Sequence, residues 1–444
     1  MIPQLMAGEF DNIHQGLTQN GALKILQSSA EELESKSDFY MAVSHLINFP
    51  DEETVDGLID FLQMSSPDTS VLLAQRKAVE VLGRLRSQKA QAVIGQCLSS
   101  NDIYMVENAA WALAQLNCQD AVLHQQMIAR LADTSQNRRV LIQSLSSLGV
   151  DEAAHYFAEL VGDEIPSVAG AAVAALAQKR KVPHEQIAKL SDHLLLPNQM
   201  DRQSAVQDII DARAVDLLDD VVKAPVSPAF KLRALKMMLN DQNVEVTKGI
   251  NLVERMLLDN PQDIMVLHHY EEVHDPAFLI NELFCPDFSR CYLAMQHLVD
   301  QSGQLIWPLL QRSWSERAHN DYGAHYFFMR LFGFIDSWPE ESLPVIKKLL
   351  LDAIDDHRPQ FKKSPPAALL SLAKHFPGFF TQHIDALLLN HKSFGWQKRF
   401  ASLQALGMIQ KSTWCQDIQP FLLQVADFDP EPLVCFKAKN LLQC

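Results

Sequence analysis

The chain has 444 residues, of which 48% are hydrophobic, and it carries a formal net charge of −16. This length exceeds one typical domain, and the hydrophobic content is ample for a continuous core. The acidic balance argues against nucleic acid as the main partner, because binding to phosphates requires a basic surface.

The sequence lacks the features of a membrane or secreted protein. The longest apolar runs, such as Ala109–Ala114 and Ala171–Ala177, are too short to cross a bilayer. Met1–Phe10 lacks the basic and apolar regions of a secretory signal. We therefore expect a soluble cytoplasmic protein with no membrane span. An odd number of scattered cysteines favours free thiols over a disulfide framework, at positions 97, 118, 285, 291, 415, 435 and 444.

Five eight-residue segments repeat one helical pattern. Large apolar residues return every three or four positions, which buries one helix face, and small residues allow neighbouring helices to approach closely. The segments are Ala78–Leu85, Ala109–Leu116, Leu141–Leu148, Ala172–Lys179 and Ala205–Ala212. Their aligned central residues follow at steps of 31, 32, 31 and 33 residues: Leu82, Leu113, Leu145, Leu176 and Ile209.

A second apolar segment follows each repeated segment after a short polar break, as in Ala92–Leu98 and Ile128–Leu131. One helix pair per roughly 30–45 residues is typical of HEAT repeats. Each pair leaves an apolar face bare, and stacking on its neighbours buries that face. Strand-like alternation is not found. The sequence therefore predicts an all-α fold, an α-solenoid of HEAT-like helix-pair repeats.

The repeat pattern is less regular outside these five segments. A looser copy occurs at Tyr40–Leu62, and past Pro225 the pattern blurs. It returns at Leu331–Ile335, Leu369–Ala373 and Leu403–Gly407. Residues 225–325 are rich in His, Cys, Tyr and Asp, which suggests function on or near them. We predict one continuous solenoid with N-terminal repeats over 1–224, an irregular helical segment over 225–325 and C-terminal repeats over 326–444.

One candidate binding surface is a row of polar side chains on the repeats. Arg76, Glu107 and Arg139 each precede a central residue by six positions. Stacked repeats place such equivalent positions side by side. Asn108 and Trp111 add an amide and a large ring to the same helix. The row is either the wall of a binding groove or a solvated face with Trp111 partly in the core.

A second candidate is the segment Asp287–Tyr292, with the sequence DFSRCY. Helical spacing puts Asp287, Arg290 and Cys291 on one side of a helix. The alternative to a binding site is a local Asp–Arg pair beside a buried cysteine. Cys285 and Cys291 lack further ligands at zinc spacing, so we predict no metal site.

The densest cluster is His319–His325, with the sequence HNDYGAH. If it forms the first turn of a helix, Asp321, Tyr322 and His325 converge. Together they cover proton donation and acceptance over a broad pH range. The alternative is a helix N-cap at Asn320 or Asp321 beside a structural tyrosine.

Two further groups fit a structural role at least as well as a functional one. His268 and His269 are adjacent, and neighbouring residues on a helix point apart, so packing is favoured over a metal site. Four basic residues of the C-terminal repeats either bind carboxylates or form solvated helix faces. They are Arg330, Lys362, Lys363 and Arg399.

Four segments carry a family resemblance: Tyr40–Pro50 (YMAVSHLINFP), Val106–Leu116 (VENAAWALAQL), DFSRCYLA at 287–294 and NDYGAH…LFG at 320–333. Together they resemble the E/F-type phycobilin lyases of cyanobacteria, in the branch that handles phycoerythrobilin on phycoerythrin. The resemblance keeps the same order over most of the chain. The two segments outside the regular repeats are its specific part.

The resemblance implies an enzyme of phycobilisome assembly that attaches phycoerythrobilin by a thioether to a cysteine of a phycoerythrin subunit, first of all the α subunit. Some members also isomerise the chromophore to phycourobilin. The bilin is then a substrate, and no prosthetic group is expected. A second lyase-family subunit or a chaperone is a possible further partner. The alternatives are a non-catalytic bilin carrier or phycobiliprotein scaffold, and a HEAT adaptor that binds no bilin.

The resemblance also suggests roles for the candidate residues. Asp321 would stabilise a protonated bilin, Tyr322 would move a proton at ring A, and His325 would assist or orient it. Arg290, with Arg139 or Arg76, would bind the propionates. The acceptor thiol belongs to the substrate protein, so Cys291 is expected to be structural more than a transient bilin carrier. The remaining predicted bilin contacts are Asp287, Trp111, Glu107 and Asn108.

Overall fold

The computed structural model describes residues 14, 16–29, 31–239, 246–389, 395–409, 414 and 418–443. Over these residues every regular element is a helix and none is a strand, so the predicted all-α fold is confirmed. In the same part of the chain, no helix combines the length and the apolar character that a membrane span needs. Met1–Phe10, Cys415 and Cys444, on which predictions above rest, lie outside the described residues.

The chain divides into two compact units, Met1–Pro183 and His184–Cys444. The division lies within the residues that the sequence assigns to the N-terminal repeats. The α-helices of the N-terminal unit are α1 (Gln19–Gln27), α2 (Asp38–Leu46), α3 (Glu52–Gln63), α4 (Thr69–Leu85), α5 (Gln91–Cys97), α6 (Ile103–Gln115), α7 (Ala121–Arg130), α8 (Arg138–Ser147), α9 (Ala154–Leu160) and α10 (Pro166–Gln178).

The C-terminal unit is also helical throughout its described residues. Its α-helices are α11 (His184–Ala188), α12 (Leu190–His193), α13 (Gln199–Asp211), α14 (Leu218–Lys223), α15 (Pro228–Leu239), α16 (Val246–Leu258), α17 (Pro276–Glu282), α18 (Phe288–Leu298), α19 (Gly303–Glu316), α20 (Tyr322–Phe334), α21 (Leu343–Ile354), α22 (Ser364–His375), α23 (Pro377–Gln382), α24 (Ile384–Leu389), α25 (Trp396–Met408), α26 (Ile418–Phe428) and α27 (Pro432–Gln443). Short 3₁₀ turns occur at Gln88–Ala90, Asp151–Ala153, Val215–Leu217, Pro261–Asp263, Ala318–Asn320, Glu340–Ser342 and Pro359–Phe361.

Four of the five repeated segments form helices that stack on one another in the N-terminal unit, and the fifth lies in the C-terminal unit. They lie in α4, α6, α8, α10 and α13, as predicted, and the second apolar segments lie in helices such as α5 and α7. Within the N-terminal unit, α4 packs on α6, α6 on α8 and α8 on α10. Gly83 permits the first of these contacts, because a Cβ atom there would lie 2.8 Å from Ala112 Cβ.

Each repeated segment also ends in the same way. Four residues after the central residue the backbone turns left-handed, and the next N–H donates to the carbonyl of the central residue. Cys118 N, for example, lies 3.0 Å from Leu113 O. This geometry is the Schellman helix stop. The left-handed residues are Arg86, Asn117, Gly149, Arg180 and Arg213, with φ between 51° and 73°.

The C-terminal unit departs from simple stacking. Helices α18, α20, α22, α25 and α27 pack one on the next, but α16 contacts α22, α25 and α27 as well as its neighbours α14 and α15. Gln404 on α25 donates to Glu254 O at 2.9 Å, and Lys437 on α27 pairs with the Glu254 carboxylate. These contacts between distant segments make His184–Cys444 one compact unit.

Candidate functional site

Side chains from the two clusters outside the repeats meet at Lys363 in the C-terminal unit. Lys363 immediately precedes α22, while Phe288 begins α18 and Tyr322 begins α20. The Lys363 Nζ atom lies 4.8 Å from the ring centre of Phe288, 5.2 Å from that of Tyr322 and 5.6 Å from that of Tyr326. We call these four residues the Lys363 site. The starts of three successively packed helices therefore come together at one half-buried ammonium group.

The Lys363 ammonium has aromatic neighbours in place of a hydrogen-bonded partner. Among the described residues, no carboxylate or carbonyl lies within hydrogen-bonding distance of its Nζ atom. Burial lowers the pKa of Lys363 to about 8, against the opposing negative charges of Asp321 and Asp259. At pH 7 the ammonium form still predominates. Cation–π contact with the three rings stabilises that form.

Asp321 is the N-cap of α20. Its Oδ1 atom accepts hydrogen bonds from Gly323 N at 2.9 Å and Ala324 N at 2.8 Å. The N-cap alternative considered for this segment is therefore observed. The capping bonds fix the direction of the carboxylate beside the Lys363 site, and the predicted role of Asp321 toward a bilin stays a prediction.

Tyr322 and His325 lie in different surroundings. The Tyr322 side chain faces solvent, with the residue 60% exposed, whereas His325 is 3% exposed. His325 Nδ1 lies 2.9 Å from Ser364 Oγ, and its ring contacts Trp314 and Phe361. Burial lowers the pKa of His325 to about 4, so its ring is neutral at pH 7. The expected convergence of these two side chains is not observed, because Tyr322 points to solvent whereas His325 packs against Ser364, Trp314 and Phe361.

The charged residues of Asp287–Tyr292 find partners outside the segment. Asp287 caps α18 by accepting from Ser289 N at 2.9 Å, and it pairs with the buried Arg202. Arg290 donates two hydrogen bonds to the Glu282 carboxylate, at 2.8 and 2.7 Å. The local Asp–Arg pair considered as the structural alternative is therefore wrong.

Cys291 is a buried structural thiol. It is 1% exposed, and its Sγ atom donates to Cys285 O at 3.2 Å and to Glu282 O at 3.5 Å. Burial raises the pKa of this thiol well above its ordinary value. Cys291 therefore stays protonated, which makes it a poor nucleophile. The other described cysteines are also free thiols: Cys97, Cys118, Cys285 and Cys435.

His268 and His269 lie in the stretch between α16 and α17. This stretch is not helical at the two histidines, which corrects the helical placement assumed for them. His268 Nε2 lies 3.4 Å from Asp287 Oδ2, so this histidine supports the start of α18. No group of three or more His, Cys, Asp and Glu side chains suited to a metal ion occurs among the described residues.

The polar row on the repeats belongs to the N-terminal unit and ties its helices together. Arg76 Nε donates to the Asp102 carboxylate at 2.7 Å, and Arg139 Nη1 donates to Ser167 O at 2.8 Å. Asn108 Nδ2 donates to Arg76 O at 3.1 Å. Both arginines thus bond to the start of the next helix that carries a repeated segment. Glu107 is half-buried, and Trp111 packs partly against the core, as one of the two alternatives expected.

A buried polar network beneath the Lys363 site was not anticipated from the sequence. Asp259, 4% exposed, accepts hydrogen bonds from Tyr292 Oη at 2.5 Å, Tyr326 Oη at 2.7 Å and Lys231 Nζ at 3.1 Å. Burial raises the pKa of both phenols and lowers that of Lys231. The network joins α15, α18 and α20 to the end of α16. One sequence signal was available, since Lys231 lies on the apolar face of α15, four residues before Leu235.

The repeats and the Lys363 site define an all-α helical-repeat protein with a half-buried, aromatic-lined lysine where three helices begin. No family model matches the chain. It is 41% identical over 382 residues to the bilin biosynthesis protein CpeY of Synechococcus sp. strain WH8020, across 85% of this chain and 91% of that protein. It is 31% identical over 394 residues to an uncharacterized phycocyanin operon protein Y of Pseudanabaena tenuis strain PCC 7409, across 88% and 91%.

Among solved structures, the complex of CpcE and CpcF of phycocyanin lyase from Nostoc sp. PCC7120 is 24% identical in sequence. It matches 54% of this chain and 94% of that chain with a TM-score of 0.46. The sequence identity to the two curated relatives extends over most of this chain and shows its family. The chain belongs to the E/F-type phycobilin lyase family.

Proposed function

We propose that this protein attaches phycoerythrobilin through a thioether bond to a cysteine of a phycoerythrin subunit. Membership of the E/F-type family makes it a phycobilin lyase, with a phycobiliprotein as acceptor. The finer proposal is supported by the 41% identity to a bilin biosynthesis protein over 85% of the chain. We take the α subunit as the first acceptor to test. Phycoerythrobilin enters as a substrate, not as a resident cofactor.

The reaction is the addition of a thiol across a carbon–carbon double bond. The thiolate sulfur of the acceptor bonds to the ethylidene carbon of ring A, and the electron pair of the double bond moves to the adjacent ring carbon. That carbon takes up a proton, so no oxidant or reductant is consumed. An ordinary thiol has a pKa of about 8.5, and a nearby base raises its reactive fraction.

The Lys363 site offers side chains for this chemistry. The Asp321 carboxylate, held by two backbone N–H groups, would act as counter-ion to the protonated bilin. The exposed Tyr322 phenol would move the proton at ring A. His325, neutral and buried, would hold the start of α20 on Ser364 and take no part in proton transfer. The buried Cys291 thiol leaves the nucleophile to the acceptor protein.

A reconstituted attachment assay tests the proposal. The protein is expressed with a phycoerythrobilin pathway, first alone and then with the α or the β subunit of phycoerythrin. We expect a coloured protein alone, and a zinc-fluorescent subunit on a denaturing gel when the acceptor is present. The absorbance of the attached chromophore distinguishes phycoerythrobilin from phycourobilin.

The outcomes of this assay separate the alternatives. A coloured protein that never labels a subunit would contradict the proposal and favour a bilin carrier. Labelling that requires a second lyase-family chain would assign the protein as one subunit of a two-chain enzyme. A colourless protein that labels neither subunit would refute the bilin function.

A further inference from the structure

The cations expected to bind the bilin propionates already have partners within the protein. Arg290 is bonded twice to Glu282, and Arg76 is bonded to Asp102. In the N-terminal unit, Arg139 donates to a backbone carbonyl. An open-chain tetrapyrrole carries two propionate carboxylates, and desolvating a carboxylate without a cation is costly. A different cation is therefore needed if the proposed function holds.

Lys363 is a basic side chain of the C-terminal unit that meets this need, and it lies beside Asp321 and Tyr322. Its ammonium is half-buried and lacks a described hydrogen-bond acceptor. A half-buried ammonium with no acceptor gains a charge-assisted hydrogen bond when a carboxylate arrives. The exposed Tyr322 ring beside it would meanwhile offer a flat face to a planar, conjugated ligand, whereas the rings of Phe288 and Tyr326 are buried.

We propose that Lys363 binds a propionate carboxylate of the bilin, with the exposed ring of Tyr322 against the adjoining pyrrole. This inference rests on the proposed function and assigns a binding residue to it. Tyr322 then has two tasks, because its ring packs on the ligand while its exposed phenol serves ring A.

The charges around Lys363 suit an anionic group. The starts of α18, α20 and α22 come together here, and each contributes the positive end of a helix dipole. The titratable groups that face Lys363 are Asp321, Tyr322 and Tyr326 on α20, Cys291 on α18, and Asp259 after α16. The two carboxylates among them are already engaged, Asp321 by backbone N–H groups and Asp259 by two phenols and Lys231.

A comparison of two ligands tests the proposal directly. Phycoerythrobilin and its dimethyl ester differ only in the charge of the propionates. Binding of each to the full-length protein is followed by absorbance titration without an acceptor subunit. The variants are Lys363→Gln, which removes the charge, and Lys363→Arg, which keeps it. Lys348→Gln changes an exposed lysine on α21 of the same unit and serves as the control.

We expect the wild type, Lys363→Arg and Lys348→Gln to bind the free acid more tightly than the ester. Lys363→Gln should lose about tenfold to hundredfold in affinity for the acid, the usual weight of a hydrogen bond to a charged group. Its affinity for the ester should equal that of the wild type. Circular dichroism confirms that the variants are folded.

Two results would overturn the inference, and they are distinguishable. If Lys363→Gln keeps the wild-type preference for the acid, another cation binds the propionates and only the assignment of Lys363 fails. If the wild type binds neither ligand, the proposed bilin function fails, and this inference fails with it.

Discussion

The two units use polar side chains differently. In the N-terminal unit, links such as Arg76–Asp102 join positions 26 residues apart, about one repeat. In the C-terminal unit, the Asp259–Tyr326 and Arg202–Asp287 links span 67 and 85 residues, and Lys437–Glu254 spans 183. Short links hold a regular stack together. Long links fix segments that the repeat does not position, and the Lys363 site is built on such segments.

Substitution of Asp259 tests the difference between the two units most directly. Asp259→Asn leaves Lys231 buried without a counter-charge, and removing one partner of a buried pair typically costs about 3–5 kcal/mol. We expect this loss in the free energy of unfolding, measured by chemical denaturation followed by circular dichroism. Asp151→Asn removes the exposed partner of Lys179 in the N-terminal unit and should leave the midpoint unchanged. Equal stability of the two variants would show that the Asp259 network is dispensable.

Lowering the pH should reduce the folding stability of the C-terminal unit through protonation of His325. Its pKa is about 4 in the fold, below the ordinary 6.5, because burial disfavours the charged ring. Stability from this group is complete above pH 6.5 and is lost as the pH falls toward 4, by about 3 kcal/mol. Unfolding free energies measured across this range should fall less steeply in His325→Asn, which keeps a polar partner for Ser364. Parallel profiles for the two proteins would show that His325 titrates normally.

The chemical role of Asp321 can be separated from its capping role. Asp321→Asn keeps a side-chain oxygen for the N-cap but removes the negative charge. We expect attachment of bilin to slow by roughly a hundredfold, the typical weight of one positioned electrostatic group. The absorbance of bound bilin should weaken or shift to the blue. Asp275→Asn, at the exposed N-cap of α17 in the same unit, serves as a comparison because it also loses a capping charge. A folded Asp321→Asn variant that attaches bilin at the wild-type rate would remove Asp321 from the site.

The variant Tyr322→Phe separates binding of the bilin from its attachment to the acceptor. The ring that packs beside Lys363 remains, and only the exposed phenol is lost. We expect bilin affinity to stay within about twofold of wild type while the attachment rate falls at least tenfold. In an enzyme that also isomerises, unisomerised phycoerythrobilin should remain on the acceptor. Parallel losses of affinity and melting temperature would instead indicate a structural tyrosine.

The repeats were predictable because their information is local. The step of 31–33 residues predicts the helices of the repeated segments, and the structure shows that a left-handed residue follows each of them at the same step. The left-handed helix ends could not be predicted from residue type, since Arg86, Arg180 and Arg213 are not residue types that favour that conformation.

The candidate site was predictable only in part. Composition identifies both clusters outside the repeats, yet the sequence leaves Lys363 open between a carboxylate-binding residue and a solvated surface charge. Its partners Phe288 and Tyr322 lie 75 and 41 residues earlier in the chain. Helical spacing relates residues within one helix and cannot reveal contacts between helices. For the same reason, helical spacing predicts that Asp287 and Arg290 share a helix side. In the structure, Asp287 instead pairs with Arg202, and Arg290 pairs with Glu282.

The position of the bilin in a crystal structure of its complex with this protein tests the central claim most directly. We predict a propionate carboxylate within 4 Å of Lys363 Nζ, consistent with a charged hydrogen bond to the ammonium. The pyrrole beside that propionate should pack on the exposed ring of Tyr322. A bilin bound in the N-terminal unit along the row of Arg76, Glu107 and Arg139, with the Lys363 site empty, would contradict this account.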